Sequence, residues 1–250
     1  MISVVVITLN EADRISALLK SAAFADEVIV VDSGSTDGTQ EVCSTGGARV
    51  FTHPWQGFAE QKQYAMNLAS CEWILNLDAD ERISEPLAAE IRETIQSAPP
   101  EICGFSMPRL SRYLGAWIRH GGWYPDRKIR LIRKGSGQWK GSGLHEKLEV
   151  SGKIQPLSSP ILHEVYRNIE DQVKTINRFS DLYAEEQPAT GAWFAAAGVF
   201  HALGKFAECY LWKLGFLDGA AGLVIAMNSA WYVFLRHAKV WEKGLKDSAS

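Results

Sequence analysis

Three acidic residues follow a short apolar run in the first third of the chain. Residues 73–77 read WILNL and lead directly to Asp78, Asp80 and Glu81. Such a run is typical of a strand buried on both faces of a parallel sheet, and open α/β sheets place ligands at the carboxyl ends of these strands. If the backbone stays extended through residue 80, Asp78 and Asp80 project to one side. Two carboxylates so placed could share a divalent cation, which in turn binds a diphosphate.

The same acidic residues have a simpler interpretation. They would then form a solvated turn that leads into a helix over residues 84–96. Short acidic motifs of this kind recur by chance. This stretch alone therefore leaves both interpretations open.

Asp32 is a second carboxylate at the end of an apolar run, EVIVV over residues 27–31, and a loop with two glycines follows it. A carboxylate there can accept hydrogen bonds from ribose hydroxyls or from the N–H of a base. The alternative is an aspartate that only forms the turn next to Ser33 and Gly34. The combination of Asp32 with Asp78 and Asp80 favours a ligand site.

The elements that must position these acids alternate along the first third of the chain. Apolar strand patterns occupy residues 3–9, 27–31, 49–52 and 73–77, and amphipathic or polar helical patterns lie between them. A β-α-β-α-β-α-β order predicts an α/β fold with a mostly parallel sheet and right-handed crossovers. The carboxyl ends of its strands would bring Asp32 and Asp78 to one edge.

Composition excludes several classes of protein. The chain has 250 residues, enough for one substantial core and a smaller appended unit. A net charge of −3 gives no reason to expect nucleic-acid binding. The four cysteines form no CxxC pair, which fits a reduced, cytoplasmic setting. GxGxxG and Walker A motifs are absent from the sequence, and residues 1–9 read as a strand and not as a signal peptide.

Four segments together carry a resemblance to a known family. In chain order they are TLNE (8–11), VDSGSTDGT (31–39), QKQYAMN (61–67) and LDADE (77–81). They resemble the ordered motifs of family 2 glycosyltransferases, which have a GT-A fold, use sugar nucleotides with Mg²⁺ or Mn²⁺ and invert the anomeric centre. The resemblance implies that Asp78 and Asp80 form the metal and diphosphate site. It also implies a nucleotide-sugar site made by Thr8, Asn10, Glu11, Asp32, Lys62, Asn67 and Asp78.

A sugar transferase also needs a general base for the acceptor hydroxyl. The loop GSGLHE, residues 141–146, presents Glu146 beside His145 on a flexible glycine segment. We expect Glu146 to be the base, and Asp126, which follows Pro125 at a predicted strand start, is the alternative. His145 could bind the metal, contact the diphosphate or cap a turn.

Further segments resemble one subgroup of the family. GGWYPDRKIRL (121–131), HEKLEV (145–150), Leu162-His163 and KLGFLDG (213–219) are similar to bacterial lipopolysaccharide inner-core β-glucosyltransferases, which move glucose from UDP-glucose onto a core heptose. The similarity covers nearly the whole chain. A sugar-1-phosphate nucleotidyltransferase is an alternative, but it would carry a basic glycine loop where Asn10 and Glu11 stand. A non-enzymatic, membrane-bound assembly factor is a second alternative.

The last third of the chain is predicted to be helical. We expect a catalytic domain over residues 1–165 and a helical region over 166–250, with apolar helices at 192–216 and 219–237. Charged residues interrupt both, so neither reads as a clean membrane span. Their aromatic and basic residues suit a helical pair lying on the anionic inner face of the bacterial inner membrane. The alternative is a helical hairpin that packs on the core or forms a homodimer.

Overall fold

The computed structural model of the protein describes residues 1–141 and 146–249. The strands are β1 (Ile2–Thr8), β2 (Glu27–Asp32), β3 (Arg49–Thr52), β4 (Trp73–Asp78), β5 (Glu81–Ile83), β6 (Ile102–Tyr113), β7 (Ala116–Ile118), β8 (Asp126–Arg133), β9 (Gly137–Lys140), β10 (Lys147–Val150), β11 (Lys153–Pro156) and β12 (Ile161–Glu164). The helices are α1 (Ala12–Ser21), α2 (Thr39–Thr45), α3 (Phe58–Asn67), α4 (Glu85–Ser97), α5 (Ile169–Glu186), α6 (Ala192–Ala207) and α7 (Gly219–Ala249).

The chain divides into two compact units. The first consists of Met1–Arg109 and Arg127–His163, and the second of Leu110–Asp126 and Glu164–Ser250. Residues 110–126 therefore belong to the same unit as the C-terminal helices. The sequence prediction had assigned them to the catalytic domain, residues 1–165.

The first unit is built on a sheet with the strand order β3-β2-β1-β4-β8-β6-β12-β5. The four strands β3, β2, β1 and β4 are mutually parallel, and β8 joins β4 antiparallel. Side chains of β1 alternate between two cores, with Val4 and Val6 in one and Val5 in the other. Because both faces are covered by helices or packed side chains, these strands are apolar throughout, as parallel strands usually are. The predicted α/β class is confirmed.

The second unit is largely helical. Tyr113 and Ile118, from β6 and β7, pack with Ala221 and Ile225 of α7 in a small core. The apolar pattern predicted one helix over 192–216, but α6 ends at Ala207 and is followed by a π-helical turn, Glu208–Trp212, and a 3₁₀ turn, Gly215–Asp218. Within the described residues, one helical segment, Gly215–Leu245, has the length and composition to cross a membrane.

Candidate active site

The register of the parallel strands brings the predicted ligand residues to one edge of the sheet. Thr8 pairs with Asp32 on β2, and Ile7 pairs with Asp78 on β4. Since neighbouring strands lie about 4.8 Å apart, Asp32 and Asp78 are separated by about 10 Å across β1. The common edge expected from the sequence is therefore present.

The acidic segment turns immediately after β4. Asp78 is the last residue of that strand, residues 79 and 80 form a turn, and Glu81 opens β5. The backbone thus does not stay extended through Asp80, and strand periodicity does not place the two aspartates. Each is instead held by its own set of partners.

Asp78 lies between two cations. Lys62 Nζ is 2.9 Å from its Oδ1, and the Arg130 guanidinium contacts its Oδ2. Burial alone would raise the pKa of Asp78, but the charges of Arg130 and Lys62 outweigh burial and hold that pKa well below its usual range. Asp78 is therefore ionised, with both oxygens paired to the protein.

Glu81 is a buried carboxylate that contacts both Asp78 and Arg130. Its side chain is fully buried, and its Oε1 lies 2.7 Å from Arg130 Nη2. Its Oε2 accepts the backbone N–H of Asp78 at 3.1 Å. Burial would lower the pKa of Arg130, but Asp78 and Glu81 together raise it above its ordinary value. Glu81 thus fixes both the backbone of Asp78 and its cationic partner, a role that the sequence patterns did not predict.

Asp80 is held differently. Its Oδ2 lies 3.4 Å from Nε2 of His163 on β12 and 3.9 Å from Nη1 of Arg14 on α1. About a quarter of the Asp80 side chain is exposed, whereas His163 is buried. His163 belongs to the site, although the sequence pattern indicated it only as part of the subgroup resemblance.

The part of the chain that the structure describes supplies few metal-ligand side chains beside the acidic segment. Within residues 1–141 and 146–249, no three His, Cys, Asp or Glu side chains form a metal-holding group. Asp80 fits a divalent cation because its carboxylate is partly exposed and an imidazole lies beside it, and Mg²⁺ and Mn²⁺ prefer oxygen ligands. Asp78 offers an oxygen only if Lys62 or Arg130 moves. His145, the third predicted metal ligand, lies outside the described residues.

Lys62 connects Asp78 to the predicted base. The same Nζ that contacts Asp78 lies 3.3 Å from Oε1 of Glu146 and 4.7 Å from the ring centre of Trp139. The side chain of Lys62 is almost completely buried. Glu146 is therefore part of the same cluster as Asp78, whereas Asp126, the alternative base, is a half-buried residue of the second unit.

Asp32 is a fully buried hydrogen-bond acceptor. Its Oδ1 accepts the N–H groups of Gly34 and Ser35 and the amide of Gln40, and its Oδ2 accepts the hydroxyls of Thr8 and Ser35. Burial would raise the pKa of Asp32, but these hydrogen bonds lower it. A nucleoside could reach this carboxylate only in exchange for one of the side-chain donors.

Asn10 and Glu11 join the loop after β1 to the loop after β2 by hydrogen bonds. Asn10 has a left-handed backbone, with φ of 57°, and its Oδ1 accepts the N–H of Thr36 at 2.9 Å. The N–H of Glu11 donates to Thr39 Oγ1 at 2.9 Å. Both predicted pocket residues thus lie beside the loop that holds Asp32.

Asn67 does not join the others. It is the last residue of α3, exposed, and its Oδ1 accepts the amide of Gln63 at 2.8 Å. The chain then enters β4 at Trp73, and β4 ends at Asp78. Since a six-residue strand spans almost 20 Å, Asn67 lies at the opposite edge of the sheet from Asp78. Helix α3 instead contributes Lys62, from its middle.

The sequence was compared with models of known families. Residues 3–148 match the model described as "Glycosyl transferase family 2". The chain belongs to glycosyl transferase family 2. It is accordingly a glycosyltransferase, which sets aside the nucleotidyltransferase and the assembly factor, and the predicted GT-A fold class is confirmed.

Known glycosyltransferases match over almost the whole chain. The lipopolysaccharide core biosynthesis glycosyltransferase LpsC of Rhizobium meliloti (strain 1021) is 31% identical over 97% of this chain and 92% of its own length. An uncharacterized glycosyltransferase of Rickettsia typhi is 30% identical over 98% of this chain and 88% of its own length. The resemblance to lipopolysaccharide core glycosyltransferases is thus confirmed at the level of homology.

Solved structures of glucosyl-3-phosphoglycerate synthase from Mycobacterium tuberculosis are also similar. The complex with Mn²⁺ and UDP-glucose is 27% identical over 45% of this chain and 44% of that chain, with a TM-score of 0.37. A complex with Mn²⁺, UDP and phosphoglyceric acid is 18% identical over 76% of this chain and 80% of that chain, with a TM-score of 0.49.

Proposed function

We propose that this family 2 enzyme transfers a hexose, glucose from UDP-glucose, to a lipopolysaccharide core or another surface glycolipid, with inversion at the anomeric carbon and with Mg²⁺ or Mn²⁺. The observation that carries the proposal is the position of Lys62, whose ammonium group contacts Asp78 and Glu146 at once. One end of this cluster suits a diphosphate, and the other end suits an acceptor hydroxyl.

The charges of the cluster support a requirement for a divalent cation. Among the described residues, five carboxylates contact four cationic side chains: Glu11, Asp78, Asp80, Glu81 and Glu146 against Arg14, Lys62, Arg109 and Arg130. A donor diphosphate would add further uncompensated negative charge to this set. Asp80, with His163 beside it, would hold the cation, and its other ligands would be diphosphate oxygens and water. When bound, the cation stabilises the negative charge of the departing diphosphate.

Side chains of the protein supply the general base and the contacts to the diphosphate and the nucleoside. Glu146 accepts the proton of the acceptor hydroxyl as that oxygen attacks C1 of the sugar from the face opposite the leaving UDP. Lys62 and Arg130 exchange part of their contact with Asp78 for the diphosphate, where their charges favour its departure. Asp32 contacts the nucleoside in place of the Gln40 amide or the Ser35 hydroxyl, and the Asn10 and Glu11 loop lines the same pocket.

Two different observations support the substrates. The acceptor class follows from the relative in Rhizobium meliloti, whose name assigns it to lipopolysaccharide core biosynthesis. The choice of UDP-glucose follows from the resemblance of residues 121–131, 145–150 and 213–219 to inner-core β-glucosyltransferases.

A glycolipid acceptor is anchored in a membrane, so an enzyme that modifies it must act at the membrane surface. Helix α6 exposes a row of large apolar side chains along one side, including Trp193, Phe200 and Leu203, each more than 60% exposed. Exposed apolar residues at helical spacing, with lysines nearby, suit peripheral binding to an anionic leaflet. We place the enzyme at the cytoplasmic face of the bacterial inner membrane. A homodimer that covers the same row of side chains is the competing arrangement.

A UDP-release assay tests this function. Purified protein is incubated with a panel of UDP-hexoses, with core oligosaccharide as acceptor, in the presence of Mn²⁺ or of EDTA. We expect UDP release with UDP-glucose, dependent on both acceptor and cation, and a β-linked product by NMR. Acceptor-dependent UDP release from a different UDP-sugar would show that this other sugar nucleotide is the donor. An α-linked product would contradict inversion.

A further inference from the structure

The turn between α6 and α7 in the second unit exposes an unusual amount of apolar surface. Trp212 is 86% exposed and Leu211 is 59% exposed, within the π-helical turn. Leu214 follows with a left-handed backbone, φ 56°, which is uncommon for a branched residue and presents its side chain outward. Further along the same turn, Phe216 and Leu217 are also exposed. A soluble surface rarely gathers so many large apolar groups in so short a segment.

An apolar groove begins at this turn. Its volume is about 520 Å³, and it is lined by Gly204, Ala207, Glu208, Leu211, Trp212 and Lys213. Grooves of this size hold small ligands. Most of the lining is apolar, and Glu208 and Lys213 are its two charged residues.

Two cationic side chains, Lys205 and Lys213, contact Glu208. Lys213 Nζ lies 2.5 Å from Oε1 of Glu208, and Lys205 Nζ lies 3.0 Å from its Oε2. A single carboxylate thus pairs with two ammonium groups, so these three side chains together carry one positive charge. All three side chains are partly exposed and so remain accessible.

A second segment adds two more basic residues. The nearly buried carboxylate of Asp218 accepts the backbone N–H of His120 at 2.8 Å and its Nδ1 at 2.9 Å, and it also accepts the N–H of Arg119. The N–H of Gly121 donates to the carbonyl oxygen of Lys213 at 2.8 Å. The loop with Arg119 and His120 is therefore fastened to Lys213, and Nε2 is the imidazole nitrogen that faces away from Asp218.

Glycine allows the close approach of these two segments. A Cβ placed on Gly122, whose φ is 85°, would lie 2.9 Å from Cδ of Lys213. The aliphatic part of Lys213 thus lies directly against the glycine backbone, which brings its ammonium group to the loop that carries His120. We call this set the headgroup turn: residues 204–218 together with residues 119–122.

We propose that the headgroup turn binds one phosphate-bearing membrane lipid, with an acyl chain in the groove and the phosphate against Lys213, His120 and Arg119. The proposal rests on the membrane binding proposed above and gives it a specific lipid site. Charge complementarity favours this occupant, since a phospholipid is the ligand that is anionic at one end and apolar at the other. A second copy of the chain would have to place both an acidic and an apolar surface there.

Flotation of the full-length protein with lipid vesicles tests the site. We expect the wild type to float with vesicles that contain phosphatidylglycerol and much less with phosphatidylcholine alone. Lys213→Gln should lower the partition coefficient about fivefold, the scale for one basic residue at an anionic surface. Trp212→Glu should lower it further because it places a charge in the groove wall. Thermal melting of each variant shows that the fold persists.

The matched control is Lys174→Gln. Lys174 lies in the same unit and forms an exposed ion pair with Glu170 at 2.7 Å, comparable to the pair of Lys213 and Glu208. Equal losses in Lys213→Gln and Lys174→Gln would overturn the site. Binding of inorganic phosphate measured without vesicles, together with no flotation on phosphatidylglycerol vesicles, would identify free phosphate as the ligand and reject the lipid.

Two further measurements distinguish the lipid site from a dimer interface and from the nucleotide site. If the wild type is a dimer by light scattering and Trp212→Glu makes it a monomer with unchanged vesicle binding, the groove is an interface between copies. We expect the binding of UDP by the wild type, measured without vesicles, to be the same whether or not the headgroup turn is intact. UDP binding without vesicle binding would reject the lipid site alone, and vesicle binding without UDP binding would reject the proposed transferase site alone.

Discussion

The ammonium group of Lys62 lies 3.3 Å from the carboxylate of Glu146, a residue 84 positions later in the chain. The same nitrogen lies 2.9 Å from Asp78 at the end of β4. Because Lys62 is buried against Trp139, its position is fixed by packing as well as by charge. The distance between the proposed diphosphate end and the proposed base is therefore set by one side chain on α3.

Replacement of Lys62 should impair both ends of the cluster. We expect Lys62→Met to lower kcat/KM about a hundredfold, the usual scale for a lost cationic or hydrogen-bonding group that stabilises the transition state. Steady-state kinetics with the donor as the varied substrate measure the effect. Lys147→Met is the control, since Lys147 is largely exposed and pairs with Glu149 at 3.0 Å, outside the cluster of Lys62 and Asp78. Similar activities of the two variants would contradict the role of Lys62.

Glu146→Gln separates the base from its alternative. The amide cannot accept the proton, so turnover should fall about a hundredfold or more, while UDP affinity stays near that of the wild type. Asp126→Asn is the comparison, because Asp126 is the other candidate base. If Asp126→Asn is inactive but still binds UDP, and Glu146→Gln is active, then Asp126 is the general base and Glu146 is not.

The buried pair of Glu81 and Arg130 should contribute to stability as well as to the site. Glu81→Gln leaves a buried guanidinium with one carboxylate instead of two, and we expect it to reduce the free energy of unfolding by about 3 kcal/mol. Chemical denaturation measures this quantity. Glu72→Gln, which breaks the more exposed contact with Arg133, should cost less than about 1 kcal/mol. Equal losses would show that burial of Glu81 is unimportant.

Glu27 gives the fold a dependence on pH. It accepts hydrogen bonds from Ser3, Ser70 and Arg49, and although burial would raise its pKa, these contacts lower it from 4.5 to about 2. A depressed folded-state pKa stabilises the protein above pH 4.5, and that stability is lost as the pH falls from 4.5 towards 2. The full effect is about 3 kcal/mol at neutral pH.

Glu27→Gln removes this titration. The difference in unfolding free energy between the wild type and this variant should therefore shrink as the pH falls from 5.5 to 3. Urea denaturation at a series of pH values measures it. A difference that stays constant over this range would show that Glu27 has an ordinary pKa in the folded protein.

The positions of Asp32 and Asp78 could be predicted because strand ends are encoded locally. Each follows an apolar run, and the alternation of strands and helices places both ends at one edge. The partners of these acids could not be predicted in the same way. Arg130 and Glu81 reach Asp78 through tertiary contacts between β8, β5 and β4, and no local period records such contacts.

The break between the C-terminal helices was predicted too late in the chain. The sequence pattern ended the first helix at residue 216, whereas α6 ends at Ala207 and π-helical and 3₁₀ turns follow it before α7. Glycine is the signal that could have revealed it. A Cβ on Gly222 would lie 1.8 Å from the carbonyl oxygen of Gly215, so the chain must fold back tightly at this point. The motif over residues 61–67 predicted both Lys62 and Asn67 as site residues. Lys62 lies in the cluster with Asp78, and Asn67 lies at the opposite edge of the sheet.

Calorimetric titration of UDP with and without Mn²⁺, on the wild type and on Asp80→Asn, tests most directly whether Asp80 holds the cation that binds the donor diphosphate. The wild type should bind UDP at least about tenfold more tightly with Mn²⁺ than in EDTA, a difference of about 1.4 kcal/mol. Asp80→Asn should fold normally and bind UDP with little response to Mn²⁺. A full Mn²⁺ response in Asp80→Asn, or equally tight binding of UDP by the wild type in EDTA, would contradict the proposed metal site.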